Sequence, residues 1–122
     1  MPPSSGALLF LLSFGMMVCM NTYQNASIAQ ANRLLQQDSL NLIDIRDPES
    51  FGAGHISGAE NIFREAFNTD TTAHLNKSYP TLLCCYHGNS SKVAAQWLVE
   101  QGFEEVYSLD GGYEAWREHS SA

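Results

Sequence analysis

The sequence predicts an α/β fold in which a parallel sheet is flanked by helices. Two observations carry that reading. Short apolar stretches of strand length, at residues 40–45, 59–63, 81–85 and 106–109, alternate with stretches of helical spacing. The junctions between them bear helix start and stop signals. A length of 122 residues fits one domain, and neither an internal repeat nor a low-complexity linker interrupts it.

The first residues stand apart. Residues 7–20 form an apolar run broken only by Ser13 and Gly15, shorter than the roughly 20 residues that span a bilayer. The first basic residue is Arg33, so the run lacks the positive flank of a signal peptide. The one A-x-A site, Ala29-Gln30-Ala31, falls inside the first helix, and Cys19 follows Val18, where lipoprotein processing needs a small residue. Residues 1–19 are therefore read as an upstream extension, with Met16, Met17 and Met20 as candidate translational starts. An export signal or membrane anchor is the alternative. Residues 20–122 are read as the domain, and the protein as cytoplasmic.

The elements follow in order. Ser27 and Gln30 have the spacing of a capping box, opening a helix that buries Ile28, Ala31, Leu34 and Leu35 and fades near Gln37. Residues 40–45, LNLIDI, read as a buried strand. Asp47-Pro48 supplies an N-cap and a proline at the first helical position of a short helix that Gly54 ends. Residues 59–63 predict a short strand and residues 64–75 a helix, although its Asn-Thr-Asp-Thr-Thr centre is a poor helix former. Residues 81–85 are the next strand. Residues 91–101 predict a helix with Val93, Ala94, Trp97 and Leu98 on its buried face. Gly102 then takes a left-handed conformation, and Phe103 folds back on Leu98. Residues 106–109 form a strand, Gly111-Gly112 a turn and residues 113–119 a last helix.

Composition narrows the partners. Thirteen acidic against six basic side chains give a net charge of -7, which disfavours nucleic acid and anionic membranes and leaves room only for a local anion site. Three cysteines without a CxxC pair support neither a disulfide framework nor a structural zinc site.

The stretch CCYHGNSSK, residues 84–92, carries the chemistry. A cysteine here has four readings: nucleophile, metal ligand, half of a disulfide, or packing. Cys85 ends a strand, and the loop from Tyr86 to Ser90 leads into a helix starting near Ser91. Ligands of open α/β sheets bind beyond the carboxyl ends of strands. The helix start offers unpaired N–H groups and a partial positive charge. Gly88 and Asn89 tolerate the backbone angles that turn successive amides inward as an anion nest, and Lys92 adds a nearby cation. That setting favours a thiolate at Cys85. Cys84, one residue earlier, reads as a small buried hydrophobe.

Blander readings suit the other polar residues. Asp44 and Arg46 read as a structural pair, His55 as bonded within its own turn, His74 and His119 as surface residues, and Trp97, Tyr113 and Trp116 as packing. His87 is placed in the loop with its side chain toward solvent.

Three segments together resemble the rhodanese (thiosulfate sulfurtransferase) family. Leu42-Ile43-Asp44-Ile45-Arg46 with Gly54-His55-Ile56-Ser57-Gly58-Ala59-Glu60-Asn61-Ile62 is similar to its first signature. Asp110-Gly111-Gly112-Tyr113-Glu114-Ala115-Trp116 is similar to its carboxyl-terminal one, and the Cys85 loop lies between them. The likeness spans residues 23–119. It implies a single rhodanese-like domain with a five-stranded parallel sheet, and sulfur transfer from thiosulfate through a persulfide on Cys85. The acceptor would be cyanide or a thiol such as that of thioredoxin. The amides of Tyr86, His87, Gly88, Asn89, Ser90 and Ser91 would bind the transferred sulfur, with no metal or organic cofactor. Two rivals are weighed. A cysteine phosphatase of this fold needs arginine six residues after the cysteine, where Ser91 stands, and its loop is one residue longer. A non-catalytic module of the family typically lacks the cysteine that is present here.

A chain beginning at Met20 is expected to be soluble and to match the full chain in stability and sulfur transfer. Unfolding of that shorter chain, read by circular dichroism, would make the extension part of the fold.

Overall fold

The structure, a computed structural model, describes residues 22–120; the extension at residues 1–19 lies outside the described residues. The chain runs β1 (Gln24–Ala26), α1 (Ile28–Leu35), β2 (Asn41–Asp44), α2 (Pro48–Ala53), β3 (Glu60–Asn61), a 3-10 turn (Arg64–Ala66), β4 (Thr81–Cys84), α3 (Ser90–Glu100), β5 (Val106–Leu109) and α4 (Gly112–Ser120). The strands form one five-stranded sheet in the order β1-β5-β4-β2-β3, and every pair is parallel.

Local signals account for the helix starts. Ser27 Oγ accepts from the Gln30 amide at 3.1 Å while Gln30 Oε1 accepts from the Ser27 amide at 3.0 Å, the reciprocal capping expected from the spacing. Asp47 Oδ2 accepts from the Ser50 amide at 3.0 Å ahead of Pro48 in the first turn of α2. At the end of α3 the Phe103 amide donates back to the Leu98 carbonyl at 3.1 Å.

Strands β2 and β4 are buried along their whole length, as central parallel strands with both faces covered must be. Alternation then divides the core. Leu82 and Cys84 belong to one cluster with Ala26, Ala31, Leu34 and Leu109, against which Tyr113 and Trp116 pack. Leu83 and Cys85 belong to the other, with Ala95, Leu98 and Phe103. The two adjacent cysteines therefore face opposite sides of the sheet, as the period of two demands.

Four expectations change. Residues 64–75 do not form a helix beyond the turn at Arg64–Ala66. Asn68 Oδ1 accepts from the amides of Asp70 and Thr71 at 2.8 and 2.9 Å, and Thr71 Oγ1 donates to the Ala66 carbonyl at 2.7 Å. These short polar side chains offer the backbone partners that compete with helix. The strand expected at 59–63 shrinks to Glu60–Asn61. Val93 is 76% exposed, and the buried face of α3 is Ser91, Ala94, Ala95, Leu98 and Val99, one position round from the stripe expected. An additional edge strand, β1, appears at Gln24–Ala26, where only Ala26 is buried and no alternation announces it.

The topology also fixes where a site can form. From β2 the chain moves outward to β3, whereas from β4 it moves the opposite way to β5. The segments leaving β2 and β4 diverge at their carboxyl ends and open a crevice between them.

Candidate active site

Cys85 lies at that crevice, immediately after β4, and is 2% exposed. Its Sγ accepts from the Gly88 amide at 3.1 Å and the Ser91 amide at 3.4 Å, and lies 3.3 Å from Ser91 Oγ. Gly88 and Ser91 are buried, Tyr86, His87 and Asn89 are exposed, and Ser90 is intermediate. Two of the six residues expected to present amides thus reach the sulfur itself. The remaining amides belong to the loop around it. A cavity of about 250 Å³ opens above the thiol, lined by Ile45, Arg46, Asp47, Phe63, Arg64, Cys85, Tyr86 and Ser90.

The loop takes this shape because α4 holds it from behind. The Tyr113 amide donates to the Cys85 carbonyl at 2.7 Å and the Glu114 amide to the Tyr86 carbonyl at 3.2 Å. Orphan donors of a helix start thus engage two loop carbonyls. Gly112 makes the approach feasible: its φ is +62°, and a Cβ there would sit 2.5 Å from the Cys85 carbonyl oxygen and 2.6 Å from Tyr86 backbone atoms. Gly88 meets the same turn from the other side, where a Cβ would lie 3.0 Å from the Gly111 nitrogen.

Asp44 and Arg46 brace the opposite wall. Arg46 Nη2 donates to Asp44 Oδ2 at 2.7 Å and to the Gly54 carbonyl at 2.6 Å, and its guanidinium stands 4.2 Å from the Tyr113 ring centroid. Burial works against the Arg46 charge, but the hydrogen bonds and negative charge of Asp44 outweigh it and raise its pKa above the ordinary arginine value. The pair ties the end of β2 to α2 and α4. Tyr86 closes the mouth by donating its hydroxyl to Asp47 Oδ1. That bond, followed by those from Ser50, holds the Asp47 carboxyl at about 2.

Other expectations meet the structure as follows. Cys84 and Cys85 are both free thiols. Burial, then the Asp44 charge, pushes the Cys84 thiol far above its ordinary range, leaving it no thiolate near neutral pH. Lys92 does not face the cavity; its Nζ donates to Asn25 Oδ1 at 3.0 Å. The cation at the mouth is Arg64, whose Nη1 donates to Ser90 Oγ at 3.2 Å. Sequence reasoning missed it because Arg64 was assigned to a helix; its position just past the β3 edge was the available signal. His55 Nδ1 bonds to the Phe51 carbonyl at 2.8 Å and its ring stacks on Phe51. His74 pairs with Glu60 at the surface. Among the described residues no cluster of His, Cys, Asp and Glu could hold a metal ion.

The fold and site define a parallel α/β domain that cradles a strand-end cysteine in the amides of a loop and helix start. A profile of the Rhodanese-like domain matches residues 27–119, and the chain belongs to that family. It is 46% identical to thiosulfate sulfurtransferase GlpE of Tolumonas auensis over 98 residues, covering 80% of this chain and 92% of that protein. It is 45% identical to the GlpE of Pseudomonas aeruginosa strain LESB58 over 97 residues, covering 80% and 86%. Among solved structures it resembles a rhodanese-related protein from Thermoplasma volcanium, with a TM-score of 0.72 and 23% identity, over 82% of this chain and 96% of that one.

Replacing Gly112 with alanine is expected to destabilise the protein by about 3 kcal/mol or more, since backbone strain and overlap with the loop add. Gly52→Ala in α2, where nothing lies within 4 Å of the new Cβ, should be neutral or stabilising by up to about 1 kcal/mol. Urea unfolding of both variants checks the contrast.

Proposed function

We propose that this chain is a thiosulfate sulfurtransferase that carries sulfur on Cys85. The observation that carries the reading is the Cys85 thiol, set beneath a cavity with the Gly88 and Ser91 amides aimed at its sulfur. Relatives 46% and 45% identical over 80% of the chain that bear this activity in their names support it.

The chemistry is a two-step displacement. The Cys85 thiolate attacks the outer sulfur of thiosulfate, the S–S bond of the donor breaks, and sulfite departs with its electron pair. An acceptor nucleophile, cyanide or a thiolate such as that of thioredoxin, then attacks the outer persulfide sulfur and returns Cys85 to the thiolate. The amides of Tyr86 through Ser91 stabilise the charge on the bound sulfur, and the start of α3 adds its partial positive charge. Arg64 offers a guanidinium to the sulfonate oxygens of the donor, which offsets a net charge of -7 that otherwise repels anions. Residues 20–122 constitute the catalytic domain in this reading. We place the enzyme in the cytoplasm, where thiols such as Cys84 and Cys85 stay reduced; among the described residues no helix is long and apolar enough to cross a membrane.

Intact mass after thiosulfate treatment separates the two thiols. Wild type and Cys84→Ser should each gain one sulfur atom, while Cys85→Ser gains none and releases no sulfite. Cys84→Ser should also lose about 1–3 kcal/mol of stability, because it places a hydroxyl in an apolar core. Sulfur retained by Cys85→Ser and absent from Cys84→Ser would show that the nucleophile is misassigned.

A phosphatase reading predicts the opposite specificity. Position 91 carries serine rather than the planar, bidentate cation that grips a phosphoryl group. Phosphate esters should therefore remain intact under conditions that turn over thiosulfate. Cys85-dependent release of inorganic phosphate would reverse the assignment.

A further inference from the structure

Behind Cys85 stand two hydroxyls that the displacement above leaves unused. Ser91 Oγ lies 3.3 Å from Cys85 Sγ and 2.7 Å from Ser108 Oγ, and both serines have 0% exposure. Ser91 opens α3 and Ser108 sits on β5, so the contact joins the cradle to the neighbouring strand. An apolar residue is the ordinary occupant of such a strand position, and a buried hydroxyl there needs a partner.

The partner count sets the direction of the hydrogen bonds. Among the described residues, the Ser108 side chain bonds to Ser91 Oγ alone. A hydroxyl has one proton and two lone pairs. Leaving the buried proton undonated is more costly than leaving a lone pair unused. A Cys85 thiol would itself donate to Ser91 Oγ, but once Cys85 is a thiolate, Ser108 donates to Ser91 Oγ and the proton of Ser91 is directed to its other neighbour, Cys85 Sγ. A thiolate, which only accepts, suits that order better than a thiol.

We propose that Ser108 is a positioning residue which, through Ser91, holds a hydroxyl donor on Cys85 Sγ and so stabilises that sulfur as the leaving group during discharge of the persulfide. The inference rests on the persulfide reading of Cys85. With cyanide as acceptor, its carbon attacks the outer sulfur, the Cys85 S–S bond breaks, and the bonding pair passes to Cys85 Sγ as thiocyanate leaves. Negative charge appears on Sγ at that moment, where the Ser91 hydroxyl points. In loading, the Sγ electron pair becomes the new bond to the outer sulfur and the donor's S–S pair departs with sulfite, so charge leaves Sγ and the same donor gives that step no assistance. The relay thus separates the two half-reactions.

The test measures both by rapid mixing, at a pH where alkylation of Cys85 has reached its plateau. Ser108→Ala should discharge persulfide to cyanide about three- to tenfold more slowly, the weight of one neutral hydrogen bond, while loading from thiosulfate stays within about twofold of wild type. Ser108→Thr, which keeps the hydroxyl, should restore discharge. A purely structural role predicts instead that both half-reactions fall together, or that Ser108→Thr is as slow as Ser108→Ala; either result overturns the proposal. Should Ser108→Thr misfold, Ser91→Ala must show the same split, and the double alanine variant must be no slower in discharge than Ser91→Ala alone. Additive losses would sink the relay. If wild type loads and Ser108→Ala discharges at the wild-type rate, only this inference falls. If wild type gains no sulfur, the persulfide reading falls and takes the inference with it.

Discussion

The contact on which the site depends is the approach of the α4 start to the back of the Cys85 loop. A loop that turns its amides inward must turn carbonyls outward, and those carbonyls need donors. The Tyr113 and Glu114 amides supply them at 2.7 and 3.2 Å, using N–H groups that a helix start leaves unpaired. The loop and α4 thereby satisfy one another's backbone. Gly112, with its open φ and a neighbouring backbone only 2.5 Å from any added Cβ, is what lets the two surfaces meet. The Asp-Gly-Gly turn is remote from Cys85 in sequence, yet the orientation of the Cys85 loop rests on it.

A second constraint is the pleat of β4, which gives two chemically identical side chains opposite environments. Cys84 enters the face packed by α1 and α4, near the buried Asp44 carboxylate, and its thiol is driven far above its ordinary range. Cys85 enters the α3 face, where amides rather than a carboxylate surround the sulfur. Arg46 pairs with the buried Asp44 carboxylate. Its bonds to Asp44 and the Gly54 carbonyl and its stacking under Tyr113 hold a buried charge in place. Removing one partner would strand the other without solvent.

Much of this was legible in the chain because its signals are local. The Ser27 capping box, the Asp47-Pro48 start and the strand-end position of Cys85 depend on residues a few places apart, and each is found where the spacing puts it. Features decided by distant partners were not legible. Residues 64–75 were expected to form a helix, but the poor helix formers at its centre, residues 68–72, carry short polar side chains that bind their own backbone, and that tendency won. Strand β1 exists through its pairing with β5, which a three-residue polar stretch does not announce. Lys92 is near Cys85 in sequence but reaches toward Asn25, while Arg64 arrives at the cavity from a segment 21 residues earlier in the numbering. The one hint of Ser108 was a hydroxyl inside an otherwise apolar strand.

Position 91 shows how a single side chain divides two chemistries on one scaffold. A phosphoryl group brings several anionic oxygens and calls for a charged planar fork. A persulfide brings one terminal sulfur, which a ring of neutral amides can hold without a cation built into the helix start. At this position the chain places a small side chain with 0% exposure, filled in from behind by Ser108, so no long cation reaches from it into the cavity. The positive charge is instead moved outward to Arg64 at the mouth. In the proposed reaction it meets the sulfonate end of an arriving donor there, while the Gly88 and Ser91 amides stay with the Cys85 sulfur. That division suits a cradle that must bind sulfur firmly enough to form the persulfide and loosely enough to pass it on.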